Sequence, residues 1–297
     1  MPELPEVETM RRGILSVVGM RISGMRIPAS PLRPITIEPS AAEFRGRIVG
    51  RRIVSVGRCG KRVLVELDSA ERIVIEPRMT GRVLLGNPPD RKHLRLVFTL
   101  ARGRERGAGD GKTELLFWDS RGLGVVRLLT PEGFARQLGP ETLGPDALQI
   151  TVEQLQERLG RSRRAVKAAL LDQKVLAGVG NIYASELLHR ARIHPGAACC
   201  RLRPIQWRRL HAAMRDVLQE ALEHEGTTLA DGMYQTVQGE SGRYQQLHRV
   251  YQRARKLCLQ CGRGIIVRIV QAQRSSFYCP RCQRANVAHG DVTTTPG

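Results

Sequence analysis

The chain of 297 residues is long enough for two cores, and its 48 Lys+Arg against 28 Asp+Glu leave a formal charge of +20 and a pI of about 10.8. That balance points to a polyanionic partner, with nucleic acid first, while 41% hydrophobic and 26% charged residues exclude a wholly disordered basic arm. No apolar run reaches membrane-spanning length, the acidic start Met1-Pro2-Glu3-Leu4-Pro5-Glu6 lacks a secretory pattern, and a cytoplasmic protein is expected. Aromatics at 4% weigh against stacking platforms for successive bases. Only six of the basic residues are lysines (Lys61, Lys92, Lys112, Lys167, Lys174 and Lys256), so a single lysine carries more information than a single arginine.

In chain order, Leu4, Val7, Met10 and Ile14 recur at helical steps behind Pro5, predicting a short helix that docks on the β-rich segment after it. Residues 53–56, 63–67, 73–75, 83–85, 94–100, 115–118 and 125–129 then read as short strands with turns between them, one spanning Arg102 to Gly111, and together they predict a β-sandwich. Gly139 to Pro145 reads as a linker, and residues 150–190 and 204–225 carry helical periodicity. The tail from about Asn286 is polar and is expected to be disordered.

Within the helical half, Gly178 and Gly180 allow close backbone approach and Asn181 sits where an N-cap would. This makes a helix N-terminus suited either to gripping a phosphate, with Lys167 adding charge, or to a plain packing corner. Cys258 and Cys261, then seventeen residues, then Cys279 and Cys282 have the spacing of a tetrahedral zinc site. Four thiolates leave no open position, so one structural zinc is expected. Ile265-Ile266-Val267 and Arg274 to Tyr278 read as a small hairpin between the knuckles. Cys59, Cys199 and Cys200 read as packing residues.

The start Pro2-Glu3-Leu4-Pro5-Glu6, the turn Gly178-Val179-Gly180-Asn181-Ile182-Tyr183 and the four-cysteine finger with Gln273-Arg274 before Phe277-Tyr278 together resemble the formamidopyrimidine-DNA glycosylase family, from residue 2 to about 283. The resemblance implies an α+β multidomain protein: an N-terminal β-sandwich domain over 1–135, a linker at 136–148, a helix-two-turn-helix DNA-binding domain over 149–245, a zinc finger over 246–284 and a tail at 285–297. It implies a monomer acting on damaged double-stranded DNA, removing oxidised purines and cleaving the resulting abasic site.

By the same resemblance, loss of Met1 leaves Pro2 with a secondary amine that attacks the anomeric carbon, and Glu3 is the acid that opens the sugar. Lys61 transfers protons and contacts phosphate, and Arg274 sits on the phosphates flanking the lesion. Glu6 and Asn181 lie near the sugar-phosphate, and His93, Arg121 and Arg163 contact DNA. Met79 matches a void-filling methionine and Arg121 faces the orphaned base. Asp119-Ser120-Arg121-Gly122-Leu123-Gly124 departs from the family's pattern, with Leu123 in place of a wedge phenylalanine. The segment Asp231 to Tyr244 corresponds to a base-capping loop. Two other readings stay open: an endonuclease VIII-like glycosylase for oxidised pyrimidines, and a non-catalytic zinc-stabilised DNA-binding protein.

Overall fold

The computed structural model describes residues 2–102, 113–230 and 232–285. The expected turn inside Arg102 to Gly111, the tail from Asn286, Met1 and Asp231 of the capping segment lie outside them, apart from Arg102 itself. The chain forms two compact units: residues 1–149, 176–179 and 218–247 make the first, and 150–175, 180–217 and 248–297 the second.

In the first unit the expected N-terminal helix is α1 (Leu4–Gly13), with Leu4, Val7, Met10 and the following Ile14 fully buried. Strands β1 (Arg21–Arg26) and β2 (Thr36–Glu38) and helix α2 (Ala41–Ile48) come next, then β3 (Ile53–Cys59), β4 (Arg62–Leu67), β5 (Arg72–Glu76), β6 (Gly81–Leu85), β7 (Leu94–Ala101), β8 (Thr113–Asp119), β9 (Val125–Leu129) and helix α3 (Pro131–Leu138). They form the expected sandwich, with sheets ordered β1-β7-β8-β6 and β2-β9-β5-β4-β3. Neighbours run antiparallel except β2 and β9, which are parallel.

Period-two alternation builds the core. Val63, Val65 and Leu67 of β4 point inward while the residues between them stay partly exposed. On β8, Leu115 and Phe117 enter the inter-sheet core, and Leu116 and Trp118 enter a second cluster with Leu84, Leu94 and Val97 on the opposite face. Both faces of β8 are covered, which explains its continuous apolar run.

In the second unit, α4 (Val152–Leu159), α5 (Val166–Leu170), α6 (Asn181–Arg190) and the first part of α7 (Pro204–Glu223) supply the helices. The finger hairpin is β10 (Val267–Gln271) with β11 (Arg274–Tyr278). Its first strand starts later than the expected 265–267, because Ile265 bridges to Leu257 and Ile266 is buried in the small finger core. Ala272 and Gln273 both take positive φ, as a two-residue hairpin turn demands, and this puts Arg274 at the exposed tip.

Candidate active site and metal centre

At the N-terminus of α1, Pro2 and Glu3 are buried. Glu3 is the N-cap, and its backbone N–H donates to Glu6 Oε2 at 2.8 Å, one half of a capping box. The other oxygen, Glu6 Oε1, accepts the Thr227 N–H at 2.8 Å. Glu6 is 2% exposed, and both its oxygens hold backbone, which fixes the residues preceding the helix. Leu4 N–H donates to Gly178 O at 3.0 Å. Gly178 has φ +106, and a Cβ there would run into the Leu4 side chain, so the turn needs glycine for conformation and for approach.

Lys61 sits at the tip of the β3–β4 hairpin next to Gly60. A Cβ on Gly60 would lie 3.3 Å from Ala177 Cβ, so the tip and the start of α1 pack against the same segment, 176–179. Arg58 sets the tip: its guanidinium donates to Gly60 O at 3.0 Å, Asp146 Oδ2 at 2.6 Å and Glu8 Oε2 at 3.1 Å. Burial opposes the charge on Glu8, but hydrogen bonds and charges from Arg11, Arg12 and Arg58 outweigh it and hold Glu8 below the usual carboxylate range. Arg58 carried no sequence signal in a chain so rich in arginine.

Met79, 40% exposed, stands in the β5–β6 turn, and Arg121 and the half-buried Leu123 stand in the loop after β8. His93 is oriented by Asp90, which accepts its backbone N–H at 2.8 Å and faces Nδ1 at 3.0 Å, and its ring meets Trp118 edge-on at 5.3 Å. Arg82, 4% exposed, lies over the Trp118 ring and donates to Met233 O and Gly232 O at 2.7 and 2.8 Å, tying the segment after residue 231 to β6.

In the second unit Arg163 is exposed. Asn181 is not the N-cap: Gly180 holds that position without a side-chain bond, and Asn181 is the first helical residue, its buried Oδ1 without a partner among the described residues. Lys167, the charge expected beside the turn, has partners on the finger hairpin. It is 1% exposed, and its amine donates to Ser275 O at 2.9 Å and Ser276 Oγ at 2.8 Å, anchoring β11. A buried ammonium stays charged only when its donors are used in this way.

The sulfurs of Cys258, Cys261, Cys279 and Cys282 lie within 4.8 Å of one another, with Cys258–Cys282 and Cys261–Cys279 at 3.8 Å. A tetrahedron of about 2.3 Å Zn–S bonds has edges of about 3.8 Å, so the donor set fits zinc. A Cβ at Gly264 would collide with Cys279 Sγ, and the Gly264 N–H donates to Cys261 Sγ at 3.3 Å. The Arg263 and Gly264 N–H groups lower the Cys261 thiol to about 6. With four thiolates the metal supplies folding and no open coordination position. Of the remaining cysteines, burial raises Cys199 to about 11 and pushes Cys59 up, whereas Cys200, expected to pack, is exposed.

A buried Pro2-Glu3 start to the first helix, a glycine turn packed against that start and a four-sulfur finger define a zinc-finger protein of the DNA base-excision class. Three family models match: the formamidopyrimidine-DNA glycosylase N-terminal domain over 1–126, the H2TH domain of that enzyme over 138–232, and the zinc finger found in FPG and IleRS over 255–285. The formamidopyrimidine-DNA glycosylase of Chloroflexus aurantiacus is 40% identical, covering 95% of this chain and 98% of its own, and that of Bacillus subtilis is 38% identical, covering 95% and 99%. The Lactococcus lactis Fpg in complex with abasic-site-containing DNA superposes with a TM-score of 0.83 at 27% identity, covering 95% of this chain and all of that one. The same enzyme with Fapy-dG-containing DNA gives 0.81 at 27%, with the same coverage. The chain belongs to the formamidopyrimidine-DNA glycosylase family.

Proposed function

We propose that this chain is a bifunctional DNA glycosylase and abasic-site lyase of base excision repair, acting as a monomer on double-stranded DNA that carries oxidised purines. The observation that carries the reading is the fixed N-terminus. Glu6 holds the backbone N–H groups of Glu3 and Thr227, and the Lys61 hairpin tip packs on the same 176–179 segment as the start of α1.

After removal of Met1, the Pro2 nitrogen is a secondary amine with a pKa near about 8, partly neutral at physiological pH. It forms a bond to the anomeric carbon as the bond to the damaged base breaks, and the base leaves with the electron pair and takes up the proton lost from the Pro2 nitrogen. Glu3 gives a proton to the ring oxygen, the sugar opens, and a secondary amine goes directly to an iminium ion. That cation acidifies the neighbouring sugar hydrogen, so the 3′ phosphate and then the 5′ phosphate depart by elimination, with Lys61 moving protons and Arg274 on the flanking phosphates. Glu6 positions Pro2 and Glu3. Met79, Arg121 and Leu123 occupy the gap left by the extruded nucleotide, and His93, Arg163 and Asn181 engage the backbone. The family assignment supports this division of roles, and the net charge of +20 suits the substrate. Each Lys/Arg–phosphate contact contributes about −0.9 to the log–log salt slope.

Borohydride reduction in the presence of abasic DNA tests the reading, because only an iminium former is trapped covalently. The processed protein is expected to trap, and a form that retains Met1 is expected to bind without trapping. Equal trapping by both would assign the nucleophile elsewhere.

A further inference from the structure

Four cysteines supply the ligands of the metal centre, but a fifth side chain reaches it. His189, two turns into α6, is fully buried, and its Nε2 lies 3.4 Å from Cys258 Sγ, which is itself closed to solvent. The chain around the centre is seated along this helix. Glu186, one turn earlier, accepts the N–H groups of Arg249, Val250 and Tyr251 at 2.9, 3.0 and 2.7 Å. Just beyond the helix, Gln283 donates to Ile193 O at 2.8 Å while accepting the Cys279 N–H at 2.9 Å. Glu186 and His189 are three residues apart and so share one side of α6, while Ile193 lies past the helix end, where Arg192 takes positive φ.

Two arguments determine which way the contact is polarised. A metal-bound thiolate has lone pairs and no proton, so it only accepts, and an imidazole nitrogen facing it must be the one that carries hydrogen. The other ring nitrogen, Nδ1, is buried without a partner among the described residues. Placing the hydrogen on Nδ1 would bury an orphaned donor and set the Nε2 lone pair against the sulfur lone pairs. Placing it on Nε2 satisfies the donor and leaves only an acceptor unmatched, the less costly of the two.

We propose that His189 belongs to the zinc centre as an Nε2–H donor to the metal-bound sulfur of Cys258, a positioning residue that retards metal loss and fastens the finger to α6. The bond draws charge from the thiolate and fixes the direction of its lone pairs, in the way outer hydrogen bonds tune other metal ligands.

The unmodified, zinc-loaded full chain gives the first test. Long-range proton–nitrogen correlation spectra, with the His189 ring assigned by its loss in His189→Gln, are expected to show the Nε2–H tautomer, and an Nδ1–H tautomer would overturn the proposal. The second test measures metal transfer to a colorimetric chelator. His189→Phe is expected to release zinc about ten-fold faster, and His189→Gln, which keeps an N–H within reach, is expected to stay close to the unmodified rate. With cobalt in the site, His189→Phe should move the thiolate-to-metal charge-transfer band to longer wavelength. Unchanged release and an unchanged band in His189→Phe would remove His189 from the centre. If that variant fails to fold, the tautomer of the unmodified chain still decides.

Discussion

The hydroxyl of Thr80 donates to the carboxylate of Asp119, joining the β5–β6 turn to the loop after β8. Asp119 is fully buried, and its oxygens also accept the N–H groups of Arg121, Leu123 and Gly124 at 3.1, 2.8 and 2.7 Å. Thr80 is the neighbour of Met79, so one carboxylate sets the relative position of Met79, Arg121 and Leu123, the three side chains assigned to the gap left by an extruded nucleotide.

Asp119→Asn keeps one acceptor oxygen and replaces the other with a donor, so the four bonds the carboxylate accepts cannot all persist. The expected loss is about 2 kcal/mol in urea unfolding, against about 1 kcal/mol for Thr80→Val, where the cross-loop bond and the Arg121 N–H contact to the Thr80 hydroxyl at 3.2 Å go but Asp119 still holds the loop backbone. Unchanged stability of Asp119→Asn would mean that the loop holds its shape without the carboxylate.

The sandwich was legible because β4 alternates and because β8, covered on both faces, reads as a continuous apolar run. β1 was not: Arg21-Ile22-Ser23-Gly24-Met25-Arg26 carries serine and glycine, with a register shift between Ile22 and Gly24. The cysteine finger was legible from spacing alone, since ligand geometry dictates it. The residues that hold the site were not, because their partners lie far along the chain: Arg58 reaches Asp146, Arg82 reaches Met233, and His189 reaches Cys258. The Lys167 contact was hidden for a related reason, since its amine meets Ser275 and Ser276, more than a hundred residues later.

Removing the metal is expected to unfold β10 and β11, since structural zinc supplies on the order of 10 kcal/mol in small zinc-dependent folds. Lys167→Met should weaken the same hairpin by about 2 kcal/mol, because Ser275 O and Ser276 Oγ lose their donor within a buried site. In both cases DNA affinity should fall, measured by fluorescence anisotropy. A metal-free protein that binds and cleaves normally would contradict the role given to Arg274.

His248 is 5% exposed, and burial, with the Arg253 charge added, lowers it to about 4. Its unfolded value is about 6.5, so between those limits the unfolded chain holds a proton that the folded one does not. Stability is therefore retained above about pH 6.5 and lost as pH falls toward 4, by about 1.4 kcal/mol per pH unit for each such proton. His248→Phe keeps a ring edge-on to Tyr251 and cannot titrate. Urea unfolding from pH 7 to pH 5 should show a shallower decline in that variant, and parallel curves would show that His248 does not carry the effect.

The last prediction concerns Leu123. Extruding a base costs a few kcal/mol in lost stacking and pairing, and inserted side chains offset this by filling the gap. Leu123 fills volume but has no π-face, and its backbone is already fixed by Asp119. A phenylalanine at this position could stack on the neighbouring base pair without a change in loop conformation. Leu123→Phe is expected to raise the single-turnover rate on a lesion in duplex DNA while leaving cleavage of a pre-formed abasic site almost unchanged, because that substrate has no base to extrude. Arg121→Ala should act differently, since Arg121 is assigned to the orphaned base: it should narrow the ratio of rates for lesions opposite cytosine and opposite adenine. If Leu123→Phe accelerates both substrates equally, its effect is on the chemistry and not on extrusion. If Arg121→Ala leaves the ratio unchanged, the loop after β8 does not read the opposite strand.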